Sequence, residues 1–347
     1  MLTSSGQAAN FYAIFNICSA GDHVVASTAI YGGTFNLFNV TMRKLGIDFT
    51  FVTPDCTEEE LNAAFKENTK AVFGETIANP ALNVLDIEKF AALAHSNNIP
   101  LIVDNTFATP VLCRPIEFGA DIVIHSTSKY MDGHAVSLGG VIVDSGKFKW
   151  LGNDKFPEFN NADESYHGVT YAKDFGEQAF ITKARAQLMR DLGSIPSPFT
   201  AFLLNLGLET LPLRIERHCS NALAVAEFIR DSGYAVEVTY PGMKGSKGYE
   251  LAQKYMPDGT SGVISFRIKG GREAATKFMD SLNFISIATH VADAKSCLLH
   301  PASHTHRQLT DEQLAAAGIS PGLVRLSVGI ENVEDIIDDI KQAMENA

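Results

Sequence analysis

Short apolar runs and amphipathic stretches alternate through the first half of the chain. The runs Asp22–Ser27, Asp48–Val52, Ala71–Glu75, Leu101–Asp104, Asp121–His125 and Gly140–Asp144 are rich in β-branched residues and bounded by turn formers, so they read as strands. Between them the apolar positions take helical spacing up to about Cys18, through Phe35, Leu37 and Phe38, near Glu58–Lys66 and near Leu85–Asn97. This alternation predicts an α/β large domain whose mainly parallel, right-handed wound sheet carries helices on both faces. Phe148–Asp174 reads as loop, and Phe175–Asp191 and Phe199–Asp231 as helices, the second long enough to bridge two domains. The rest predicts a smaller α+β domain. Its strands lie near Ala235–Tyr240, Gly262–Lys269 and Leu323–Ile330, and its helices near Arg272–Leu282, Asp311–Ala316 and Val333–Glu345. The expected domains are therefore 1–195 and 196–347, the bridging helix belonging to the second.

The ends of the strands change the picture, because ligands of open α/β sheets sit beyond the carboxyl ends. The Asp121–His125 strand runs through Ser126-Thr127-Ser128 into Lys129, and the Leu101–Asp104 strand stops on a carboxylate. Alone, Lys129 reads as a solvated loop lysine and Asp104 as a helix cap or half of a salt bridge. Together they fit one ligand, pyridoxal phosphate, whose aldehyde condenses with a lysine and whose ring nitrogen is kept protonated by an adjacent aspartate. Asn79, after the Ala71–Glu75 strand, reaches the same sheet edge. Ser4, Ser5 and Gly6 precede a helix, where amides and the helix dipole can seat a phosphate or simply cap the helix. Tyr31 beside Gly32 and Gly33 can lay its ring on a flat ligand or pack as an ordinary helix-entry aromatic. Arg325, inside the apolar run Leu323–Ile330, calls for a carboxylate from protein or substrate.

Composition narrows the class. The chain has 347 residues, 46% of them hydrophobic, which suffices for one large and one smaller core. A net charge of −12 argues against nucleic acid or an anionic membrane as partner. The five cysteines are scattered and form no C-x-x-C pair, as in a reduced cytoplasmic protein. No apolar run is long enough to span a bilayer. His300, His304 and His306 match no zinc spacing, and Pro301 breaks the helix that would align the first two, so no metal is expected.

Taken together, SSGQAA, YGGT, ETIANP, VDNTFATP, HSTSKYMDGH, LETLPLRIERHCSNA, HPASHTHRQL and VRLSVGIE resemble the Cys/Met-metabolism family of pyridoxal-phosphate enzymes, from Thr3 to Glu345. The resemblance implies the aspartate-aminotransferase-like fold (fold type I), with a seven-stranded sheet in the large domain. It implies Lys129 as the Schiff-base lysine, Asp104 as partner of the ring nitrogen, Tyr31 stacked on the ring and Asn79 on its 3-oxygen. Gly6, Gln7, Ser126 and Ser128 would hold the phosphate, and Arg325 the substrate α-carboxylate with His290 beside it. His290 stands where relatives tend to carry Ser or Asn.

Tyr166-His167-Gly168 and HPASHTHRQL are most similar to the O-acetylhomoserine sulfhydrylase branch. That branch converts O-acetyl-L-homoserine and sulfide to L-homocysteine and acetate by γ-replacement. Cystathionine γ-synthase, cystathionine γ-lyase and methionine γ-lyase are the neighbouring alternatives. The resemblance also implies a homodimer or homotetramer. Family members carry some tens of residues before SSGQAA, including a Tyr-x-Arg arm that reaches the neighbouring subunit's phosphate. None of the nine tyrosines here has an arginine two residues on. A truncated form, active or an inactive subunit, is the corresponding expectation.

Overall fold

The computed structural model describes residues 1–302 and 320–347. The chain groups into two compact units. One comprises Met1–Asn79, Val84–Ser128 and Ser137–Leu204, and the other Pro80–Asn83, Lys129–Val136 and Asn205–Ala347.

The first unit is built on a seven-stranded sheet. Its strands are β1 (Leu2–Thr3), β2 (His23–Ser27), β3 (Asp48–Val52), β4 (Thr69–Glu75), β5 (Leu101–Asp104), β6 (Ile122–Ser126) and β7 (Gly140–Asp144). They lie in the order β1-β7-β6-β5-β4-β2-β3. β3, β2, β4, β5 and β6 run parallel, while β7 is antiparallel to β6 and to β1. β2 and β5 are buried at every residue, which is why they read as continuous apolar runs: parallel strands are covered on both faces. The covering helices carry their own signals. Asp86 caps Ile87–Ser96, which buries Ile87, Phe90, Ala91 and Ala94 on one face. Thr57 and Glu60 form a capping box on Glu58–Ala63.

Two departures from the sequence reading have local causes. β1 is a seventh strand of two residues, too short to leave a periodic signal. The expected helix Phe175–Asp191 is broken, because Gly176 takes φ 52° and ends the helix Tyr171–Phe175. Helix resumes at Ala179–Ala184, passes through a π-helical turn at Arg185–Met189 and ends at Arg190–Leu192.

The second unit holds a five-stranded sheet of β8 (Ala235–Thr239), β9 (Val263–Ile268), β10 (Ser286–Ile287), β11 (Cys297–Leu299) and β12 (Leu323–Ser327), in the order β10-β11-β12-β9-β8. β10 and β11, together with the helix Tyr249–Tyr255, were not legible in the pattern. Phe266, Leu326, Phe278, Ile336 and Ile340 pack in its core, the last two from the helix Val333–Glu345. The helix expected at Asp311–Ala316 lies outside the described residues. Among the described residues no helix is long and apolar enough to cross a membrane.

Candidate active site

In the first unit two of the parallel strands, β4 and β5, end on acids. Asp104 is buried at the end of β5, and its Oδ1 accepts the Thr106 N–H at 3.0 Å and the Thr106 hydroxyl. Thr106 Oγ1 in turn accepts the Ser126 N–H at 2.8 Å, so one threonine ties the ends of β5 and β6 together. Burial raises the Asp104 pKa, opposed by the Thr106 donors and the Asn10 side chain. Its register partner on β4 is Glu75. Burial, then the Asp104 charge, push Glu75 well above the ordinary carboxylate range, although it accepts the backbone N–H groups of Tyr31, at 2.7 Å, and Asn79. Two buried carboxyls with neutral donors alone as their named partners form a place that a cation would stabilise.

The helix Gly6–Phe15 points its N-terminus at the same strand end. Ser5 caps it by accepting the Ala8 N–H at 3.1 Å. The amides of Gly6 and Gln7 open the helix, where no intrahelical acceptor exists and the dipole is positive. Gly6 is pressed against β6, since a Cβ there would lie 2.6 Å from the Ser126 Cβ. Ser128 Oγ accepts the Gly139 N–H at 3.0 Å and donates to Gly139 O at 3.3 Å, which holds the hydroxyl in place. Tyr31 is 50% exposed, and its ring lies over Gly33, where a Cβ would come within 2.4 Å of Cε1. These donors and this aromatic face suit a phosphorylated, cationic, flat ligand.

The second unit holds a group of basic side chains. Lys129 directly follows Ser128 in the chain, and its Nζ lies 3.5 Å from His290 Nδ1. Burial, helped by the Arg325 charge, lowers the Lys129 pKa to about 8. Burial, then the Lys129 charge, lowers that of His290. Arg325 is buried on β12 and donates through Nη2 to the carbonyls of Thr289 and His290, both at 3.0 Å. The segment after the lysine is pinned from two sides. Arg214 donates to Tyr130 O at 2.7 Å and to Gly207 O at 2.6 Å, and the Tyr130 hydroxyl accepts the Gly262 N–H at 2.8 Å. A primary amine with a depressed pKa on a fixed segment is the group that imine chemistry requires.

Residues 1–345 match the family model of Cys/Met metabolism PLP-dependent enzymes. The chain belongs to that family. It is 46% identical to an O-acetyl-L-homoserine sulfhydrylase of Leptospira meyeri, over 100% of this chain and 80% of the relative. It is also 46% identical to a homocysteine synthase of Schizosaccharomyces pombe, over 99% and 81%. A crystal structure from Campylobacter jejuni, described as an O-acetylhomoserine (thiol)-lyase and carrying pyridoxyl-lysine monophosphate, superposes with a TM-score of 0.94 at 38% identity. It covers 99% of this chain and 82% of that one. The fold is thus the mixed α/β fold type I of pyridoxal-phosphate enzymes, as the family resemblance implied.

Within this family frame the first unit gathers Gly6, Gln7, Tyr31, Asn79, Asp104, Ser126 and Ser128, and the second gathers Lys129, His290 and Arg325. Sequence reasoning gave no role to Glu75, Asn10, Thr106 or Arg214. Thr106 was readable in principle, as the hydroxyl two residues after the acid. Arg214 was not, because its carbonyl partners come from a distant segment. His125 belongs to neither set: β-alternation puts it on the opposite face from Ser126, and burial lowers its pKa to about 4. No group of residues able to hold a metal occurs among the described residues. His304 and His306 lie outside them.

A cleft of about 560 Å³ opens elsewhere in the first unit, lined by His95, Asp121 and Lys155 among others. These three side chains are already engaged. Asp121 accepts from His95 and from the Leu101 N–H, and Lys155 donates to the Glu67 and Thr69 carbonyls.

Proposed function

We propose that this chain catalyses γ-replacement on O-acetyl-L-homoserine, with sulfide as nucleophile and L-homocysteine and acetate as products. The observation that carries the reading is a Lys129 amine held near neutrality beside a buried arginine, in a chain alike from end to end to curated sulfhydrylases. Asp104 would hold the proton of the cofactor's ring nitrogen, and Tyr31 would cover the ring. Asn79 would reach the 3-oxygen. Gly6, Gln7, Ser126 and Ser128 would bind the phosphate. Bound pyridoxal phosphate supplies an electron sink next to the substrate's α-carbon.

The chain's own residues do the rest. Arg325 grips the α-carboxylate, which orients the Cα–H bond, and His290 lies beside it. Lys129 Nζ, once released, takes the α-proton, and a pKa of about 8 suits both uptake and return near neutral pH. Loss of a Cβ proton then expels acetate from Cγ. Sulfide adds at that carbon as a proton returns to Cβ, and Lys129 returns a proton to Cα. Five buried free thiols and exposed Phe199 and Phe202 support a cytoplasmic homo-oligomer, dimer or tetramer. The test incubates the purified, cofactor-loaded protein with O-acetylhomoserine, with and without sulfide. Homocysteine formed only with sulfide supports the reading, and sulfide-independent release of a keto acid would identify a γ-lyase instead.

A further inference from the structure

Glu75 has no part in the chemistry described above, yet it is a carboxyl only 7% exposed at the strand end where the cofactor would sit. An apolar or amide side chain could fill that volume without the penalty of burying an acid beside Asp104. What the carboxyl gains is two main-chain donors from separate segments. It accepts the Tyr31 N–H, 44 residues away in sequence, and the Asn79 N–H at the turn before Pro80. Beyond its N–H bond to Glu75, Tyr31 accepts the Phe35 N–H at its carbonyl at 2.9 Å, which ties it to the following helix but not to β4. Tyr31 precedes the short helix Gly32–Asn36 without a side-chain capping bond, and half its surface is open.

We infer that Glu75 is the positioning residue of the cofactor site, one buried carboxyl that fastens the backbones of Tyr31 and Asn79 to the end of β4. This rests on the reading of Tyr31 and Asn79 as cofactor contacts. Glu75 itself touches neither cofactor nor substrate. It acts by fixing where the ring-stacking side chain and the 3-oxygen donor start from, which lowers the ordering required on binding.

The test begins with cofactor-free protein and amide hydrogen exchange. In Glu75→Ala, the Tyr31 and Asn79 amides should exchange about tenfold faster or more, while the amides of β4 keep their protection. Glu75→Gln, which retains one acceptor oxygen, should fall between Ala and wild type. Unchanged exchange at Tyr31 and Asn79 overturns the inference, as does general loss of protection along β4, which marks mere structural support. Should Glu75→Ala fail to fold, Glu75→Gln decides by the same comparison.

Equilibrium dialysis of pyridoxal phosphate in a Lys129→Ala background then separates the two readings. Release of both amides with about tenfold weaker binding supports the positioning role. Release of both amides with unchanged binding removes Tyr31 and Asn79 from the cofactor site and overturns the role with them. The proposed reaction would still stand on Lys129 and Arg325.

Discussion

The candidate residues of the two units face opposite electrostatic problems from one cause. In the first unit loss of water pushes Asp104 and Glu75 upward, and in the second it pushes Lys129 and His290 downward. The sign differs because the charged form is an anion in one case and a cation in the other. In the proposed reading a protonated ring nitrogen would relieve the acids, and a carbonyl carbon and a carboxylate would relieve the bases. Two other acids in the same units are well served. Asp163 is held down to about 2 by the Ser165 hydroxyl, with Tyr171 and Gln187 adding further donors. Asp339 is buried but accepts the amides of Asn283, Phe284 and Ile285. Electrostatic strain alone does not mark the site, since burial also raises Asp144 to about 6 and lowers His23, His125 and His218 to about 4; the candidate residues differ in being grouped together within each unit.

The strongest way to break this comparison is to remove the amine. Lys129→Ala should abolish both turnover and the visible absorption of bound cofactor while leaving the fold intact. A borohydride-reducible protein linkage at wild-type occupancy would place the reactive amine elsewhere. Next is the acid. Asp104→Asn should keep cofactor bound but lower kcat by about a hundredfold or more, since each pK unit lost at the ring nitrogen is about 1.4 kcal/mol of proton affinity. An unchanged kcat would end the proposed role of Asp104. Arg325→Lys is milder and more selective. It should raise KM for O-acetylhomoserine about tenfold, with cofactor affinity preserved, because an ammonium cannot reproduce a two-pronged grip on a carboxylate. Equal substrate kinetics would make Arg325 a structural residue holding the Thr289 and His290 carbonyls.

The large sheet was legible because buried parallel strands must be apolar throughout, and Asp104 and Lys129 stood out as polar residues ending such runs. Tyr31 and Asn79 stood out as candidates by position, beside glycines and after a strand. Glu75 was visible as a residue but not as a problem. Its burial, and its pairing with Asp104, depend on the β4–β5 register, which no single strand reveals. Arg214 was hidden for the same reason, since its partners Tyr130 and Gly207 meet it only through tertiary structure. In the smaller unit, β10 and β11 have two and three residues, too few for alternation to register. The break at Gly176 was missed because an isolated glycine is often tolerated inside a helix.

The smallest expected effect concerns stability, and its sign follows from the lysine alone. With a folded pKa of about 8 and an ordinary value near 10.4 when unfolded, Lys129 is protonated in both states below about pH 8, and there the folded chain carries a buried charge it would rather lose. Between those values the folded state releases the proton while the unfolded state keeps it, so wild-type stability rises with pH across that window. The groups acting on the amine besides burial are Arg325, which lowers its pKa, and Cys297, which raises it. His290 meets it directly. Lys129→Met keeps the length and removes the charge. In cofactor-free protein it should therefore melt a few degrees above wild type near pH 7, by roughly the usual scaling of Tm with free energy. The advantage should shrink steadily as pH rises through about 8 towards 10.4. Thermal melts of both proteins across that range check it, and a difference that stays flat with pH would mean that the amine is not under the strain that separates the second unit's chemistry from the first's.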